Sequence, residues 1–267
     1  MSHDDALRHV PAADEPIHVR HITLHDLGYA LHQGYEDFAA RPSFGAFLLL
    51  IYPLAALLFV LFLQDSGQLA YLAFPIVAGL ALLGPAVSVA LFEMSRRREA
   101  GLPSSWRAAF GWVRSASFAP ILGLSLLMML LYVAWLALAE SLYLGTLGAA
   151  QPTFGDFLVR LFTTREGAAL MLYGNVCGLL FAFAALAMSV VAFPLLLERP
   201  VSLMSAVGAS VRAVASNLWV MLLWGLLVTV LLLAGAAVFL VGLAAVLPIL
   251  GHATWHLYRR LVARPSS

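Results

Sequence analysis

The chain has 267 residues, 62% of them apolar and 11% charged, with a formal net charge of +1 and a mean hydropathy of +0.92. Soluble domains carry about 25% charged residues, so most of this chain has lipid as its solvent, and no basic surface is left for a nucleic-acid partner. All fifteen basic residues are arginine, which excludes P-loop and Schiff-base chemistry; the one cysteine, Cys177, excludes an intrachain disulfide, a two-cysteine redox pair and a cysteine-rich zinc site.

Residues 1–22 read as a polar tail, and nothing in residues 1–43 resembles the apolar core of a signal peptide, so the first span is expected to act as its own insertion signal. An amphipathic helix follows, with Leu24, Leu27, Leu31, Tyr35 and Phe38 at helical spacing and Thr23 with Asp26 as its start. His25 and His32 share another flank of it with Tyr29 and Glu36. A span needs about 20 apolar residues. Spans are expected at 44–63 and, after the turn "QDSGQ", at 71–92. A second amphipathic segment sets Trp106, Ala109, Phe110 and Val113 against Arg107 and Arg114. The third span is 118–139.

The next piece, "QPTFGDFLVRLFTTREG", carries an apolar stripe of Phe154, Phe157, Leu158, Leu161 and Phe162, with Asp156 and Arg160 four apart on another face. It should lie on the outer membrane surface or cap the bundle, with Thr163 and Glu166 capping the fourth span at 168–193. A third amphipathic helix shows Leu203, Val207, Val211 and Val214 on one side, Ser205 and Arg212 on the other. From Ala213 to Tyr258 there is no Asp, Glu, Lys or Arg. As one helix this run would extend roughly 69 Å, over twice a bilayer core. It must fold back near Ala234–Gly242, giving spans at 218–236 and 239–257 and a C-terminal tail at 259–267.

With the N-terminus in the cytoplasm, thirteen of the fifteen arginines fall inside and only Arg160 and Arg165 outside. The reading is therefore all-α: one membrane domain over 23–258, six spans, three cytoplasmic amphipathic helices and both termini inside. "PAVSVALFEMSRR" (85–97) aligns without gaps on "PILGHATWHLYRR" (248–260), and "VVAFPLLLER" matches more weakly. Each unit would be an interfacial helix and a two-span hairpin, three times over.

The chain resembles a bacterial six-span integral-membrane family, the domain of unknown function 2189. The resemblance rests on "IHVRHITLHDLGYALHQGYEDF", "FEMSRRREAGLPSSWRAAF", "FPLLLERPVSLMSAVGASVRAV" with "NLWVMLLWG", and "LPILGHATWHLYRRLV". It implies an integral-membrane fold over about residues 17–262 and assigns no catalytic residue.

Candidate chemistry is sparse. His252 and His256, four apart, could hold a metal or haem with His25 or His32; the plainer reading is interhelical hydrogen bonding or a headgroup contact. Glu93 and Glu198 are expected to pair at the surface with Arg96 or Arg97 and with Arg199. Asn175 stands among Gly174, Gly178 and Ala182, a small-residue series that suits close helix contact or, alternatively, a solute path. Pro53, Pro75, Pro85 and Pro248 can kink spans. GxGxxG, GxSxG and HExxH patterns are absent, so no enzyme and no cofactor is expected. The first functional reading is a non-enzymatic accessory, scaffold or assembly partner of a membrane complex, its partners being the lipid bilayer and another membrane protein. The alternatives are a transporter or channel for a small neutral or amphipathic solute, and a histidine-based metal, haem or pH-sensing protein.

Overall fold

The computed structural model describes residues 17–40, 72–148, 153–237 and 241–264. The span expected at 44–63, with Pro53, lies outside the described residues. The described elements are helical: α1 (Leu24–Ala40), α2 (Ala73–Val87), α3 (Val89–Glu99), α4 (Trp106–Ala109), α5 (Phe118–Thr146), α6 (Phe154–Thr163), α7 (Arg165–Ser189), α8 (Ala192–Glu198), α9 (Leu203–Ser216), α10 (Leu218–Ala237) and α11 (Leu243–Leu261). Among them, four segments are long and apolar enough to cross a membrane: Ala73–Glu99, Phe118–Thr146, Arg165–Glu198 and Leu218–Ala237.

Two of these segments are interrupted, each next to a proline. Pro85 has no N–H for the Ala81 carbonyl. Three residues on, Ser88 closes the break by donating its amide (3.0 Å) and its hydroxyl (2.9 Å) to Gly84 O. Pro194 likewise leaves the Val190 carbonyl without its usual donor, and α7 gives way to α8 at Val190–Val191. There Ser210 Oγ of α9 accepts the Val191 amide at 3.1 Å. The chain does reverse where the uncharged run predicts. α10 ends at Ala237 and α11 begins at Leu243, and a Cβ on Gly242 would come within 2.7 Å of Gly235 O. Only glycines let the two arms cross this closely.

The three amphipathic segments differ from their expected form. α1 forms, but the face it buries is Asp26, Leu27, Ala30 and Gly34; the apolar stripe contributes Leu27 to it, while Leu24 and Tyr35 stay exposed. Small residues win because they allow close approach: a Cβ on Gly34 would lie 2.6 Å from Ala253 N and 2.7 Å from Ile249 O of α11. α9 repeats this, burying Ala206, Ala209, Ser210, Ala213 and Val214 while Val211 is exposed. The second segment is not one helix. α4 has four residues and a 3-10 turn, Gly111–Arg114, follows it; Phe110 and Val113 are exposed.

The packed core sits at one end of the bundle. There α3, α8 and the C-terminal half of α11 pack on one another and bury Phe92, Phe193, Trp255 and Tyr258 almost completely. The four apolar segments themselves are only 17–33% buried, which leaves long apolar faces for lipid. Nearer the other end, α5 packs on α2: Trp135 Nε1 donates to Pro75 O at 3.0 Å, and Gly79 leaves room for Tyr132 and Trp135. α6 packs on α7 with Phe157, Tyr143 and Leu147 in a small apolar cluster. Thr153 and Asp156 form its capping box. Asp156 is used there, and Arg160 instead donates to Leu147 O at 2.6 Å. The cap of α7 is Thr164, accepting from Gly167 N, one residue beyond the expected Thr163.

Candidate functional site

The packed end gathers most of the charged side chains. α1 brings Asp37, α3 brings Ser95 and Arg98, and α11 brings His252 and His256. Ser95 Oγ lies 2.5 Å from Asp37 Oδ2 and 2.8 Å from His252 Nδ1. His256 Nε2 lies 2.9 Å from the same Asp37 oxygen, and Arg98 donates to the other oxygen at 2.7 Å. Three helices are thus joined through one carboxylate. Burial alone would raise the Asp37 pKa; the hydrogen bonds from His256 and Ser95, with the charges of His256 and His252, outweigh it and hold the carboxyl below its ordinary value.

A second layer surrounds this one. Glu99 accepts from Trp255 Nε1 (3.1 Å), from Arg259 Nε (2.8 Å) and from Arg264. Glu198 accepts from Tyr258 and Arg259, and Arg259 lies 4.8 Å over the Trp255 ring. Arg260 reaches Asp26 Oδ1 at 2.5 Å and stacks on Tyr29. Asp26 is drawn below its ordinary pKa: burial opposes this, and the Thr23 amide and Arg260 prevail. Glu93 does pair with Arg96, through bonds of 2.7 and 2.9 Å, yet not wholly at the surface. Glu93 itself is 4% exposed, while the Arg96 side chain is 39% exposed, so the pair runs from the interior to the surface.

The chain's flanks close the same end. Val19 bridges Val262; Arg20 N donates to Leu261 O at 2.8 Å and Ala263 N to His18 O at 3.1 Å. Asn217, at the α9–α10 joint, accepts the Ile22 amide at 2.8 Å and donates to Arg20 O and Ala213 O at 3.0 Å each. Residues 17–22 and 261–264 therefore take part in the fold.

The structure brings His252 and His256 together with Asp37, not with the other two histidines. His25 and His32 are exposed on the outer flank of α1, and His32 meets Glu36 at 3.3 Å. Among the described residues no three His, Cys, Asp or Glu are disposed to hold a metal ion. The bonding pattern is the interhelical one. Of the small-residue series, Gly178 lies against Trp135, 3.2 Å from a built Cβ, while Gly174 has open space. Asn175 is exposed and donates to Met171 O of its own helix at 2.7 Å. Asp37, Ser95, Glu99 and Asn217 were not legible as site residues. Their one sequence signal is polarity beside small residues, as in Gly34 and Asp37 one helical turn apart.

No curated protein and no solved structure matches the chain. A family match covers less than the nearly full-length resemblance, leaving the "IHVRHITLHDLGYALHQGYEDF" and "LPILGHATWHLYRRLV" stretches outside it. Residues 73–198, α2 through α8, match the family described as "Predicted integral membrane protein (DUF2189)", and over that segment the chain is similar to it.

Proposed function

We propose that this is a six-span protein of a bacterial inner membrane, both termini cytoplasmic, which acts without catalysis as an accessory, scaffold or assembly partner of a membrane complex. One observation carries the reading: the reactive side chains of the packed end are engaged with one another. Asp37 holds Ser95, His256 and Arg98 at hydrogen-bond distance, and Ser95 and His252 are 1% and 4% exposed, so they serve as ties between helices and not as reactive groups. The outward faces of the bundle are apolar, Leu226, Val230 and Leu233 of α10 among them, and suit lipid or another membrane helix.

The arginine balance supports the six-span topology. The threefold repeat draws support from α3, α8 and the end of α11, which pack together; Phe92 and Trp255, matched in the repeat alignment, are both buried. A second reading, a pH-responsive membrane protein, is favoured by the Asp37–His256 contact, which sets an imidazole against a carboxylate between two helices. Native mass spectrometry after mild detergent extraction separates these ideas. A partner chain retained in stoichiometric amount supports assembly. A monodisperse protein with no partner chain contradicts it.

A further inference from the structure

The packed end opens into a cleft of about 480 Å³, within the roughly 300–1,000 Å³ range of small-molecule sites. Arg98, Arg259, Arg260 and Arg264 line it, against two carboxylates, Asp37 and Glu99. Both carboxylates are fully engaged: Asp37 has Ser95, His256 and Arg98, and Glu99 has Trp255, Arg259 and Arg264. Among the described residues, the outer arginines are not. A guanidinium carries about five N–H donors. Arg98 and Arg264 each give one to a carboxylate, and Arg260 gives two. Their side chains remain 44%, 72% and 46% exposed, respectively. What the cleft offers is therefore mainly N–H donors, with its two carboxylates already engaged.

That chemistry selects an acceptor-only anion, and planar guanidinium forks fit phosphate oxygens in pairs. The α1 wall of the cleft is Tyr29, Gln33 and Asp37. At about 100° per residue, Gln33 is roughly half a turn of the helix away from Leu24, one of the exposed residues of the apolar stripe. With the stripe on lipid, the cleft faces water. We propose that this cleft binds the phosphate group of a water-soluble small molecule. The site is independent of the assembly reading.

The test uses the full chain in phosphatidylcholine nanodiscs, titrated with inorganic pyrophosphate by calorimetry at low salt. Saturable binding is expected. It should weaken about tenfold in Arg264→Gln and in Arg260→Gln, the loss of one charge-assisted hydrogen bond each, and stay unchanged in Arg165→Gln at the other end. Discs that also contain phosphatidic acid distinguish the source of the phosphate. Equal pyrophosphate affinity in both discs supports a soluble ligand. Loss of pyrophosphate binding in the acidic discs overturns that assignment in favour of a lipid headgroup. No saturable binding in the neutral discs, or binding unaltered by both cleft variants, overturns the site itself.

Discussion

His256 Nε2 lies 2.9 Å from Asp37 Oδ2, a contact that fastens the last helix to the first across 219 positions. Both side chains are nearly buried, 12% and 8% exposed, so water replaces the contact only poorly. Asp37→Asn removes the charge from a carboxylate that also faces Ser95 and Arg98. Hydrogen bonds to a charged group contribute about 1.5–3 kcal/mol; a loss of about 2 kcal/mol is expected, read as a lowered unfolding midpoint in detergent. A variant as stable as the parent would show that the contact contributes little.

The same carboxylate sets a pH dependence. Its folded pKa lies below the ordinary value of 3.8, so its contribution is fully present above pH 3.8 and is lost as pH falls through the depressed folded value. Melting curves taken between pH 6 and pH 3 should fall toward the acid end. In Asp37→Asn that fall should be shallower. Parallel curves for the two proteins would assign the acid sensitivity elsewhere, with Asp26, also depressed, as the next residue to replace.

Gly34→Val tests close approach without touching charge. The added carbon would meet the backbone of Ala253 and Ile249 at 2.6–2.7 Å, and backbone cannot swing aside. Overpacking of this kind costs about 1–3 kcal/mol. Proteolysis within residues 24–40 should accelerate in the variant. Gly28→Val, at a position with open space around it, should leave the rate as it was.

Asn217→Ala would leave the buried Ile22 amide and the Arg20 carbonyl without their partner. Unpaired buried groups cost about 1–3 kcal/mol. The N-terminal flank should loosen first, seen as faster amide exchange at Ile22 than at residues of α5. Unchanged exchange at Ile22 would mean the pairing of Val19 with Val262 holds the flank unaided.

Much of the fold was legible because hydropathy carries it. The uncharged run from Ala213 to Tyr258 exceeds a bilayer, and two glycines sit where it turns. The docking of α1 was not legible. Its stripe of Leu24, Leu31 and Tyr35 dominates any apolar pattern, while the face that meets α11 is made of Ala30, Gly34 and Asp37, which carry almost no hydrophobic signal. A glycine reports close approach only once its partner helix is known. The breaks at Ser88 and Val190 were half legible: Pro85 marked the first, and Pro194 gave an equal signal for the second. His252 and His256 stand out in the sequence as a pair, but their partners Asp37 and Ser95 lie 219 and 157 positions away, beyond the reach of local spacing.

The central claim is that these histidines join helices and do not hold a metal or haem. Metal analysis and visible spectra of the purified protein, beside His252→Ala/His256→Ala, test it directly when combined with amide exchange on α1. The account predicts no stoichiometric metal or haem in either protein, and faster exchange across Leu24–Ala40 in the variant. A metal or haem bound by the parent and lost from the variant, with α1 exchange unchanged, would contradict it.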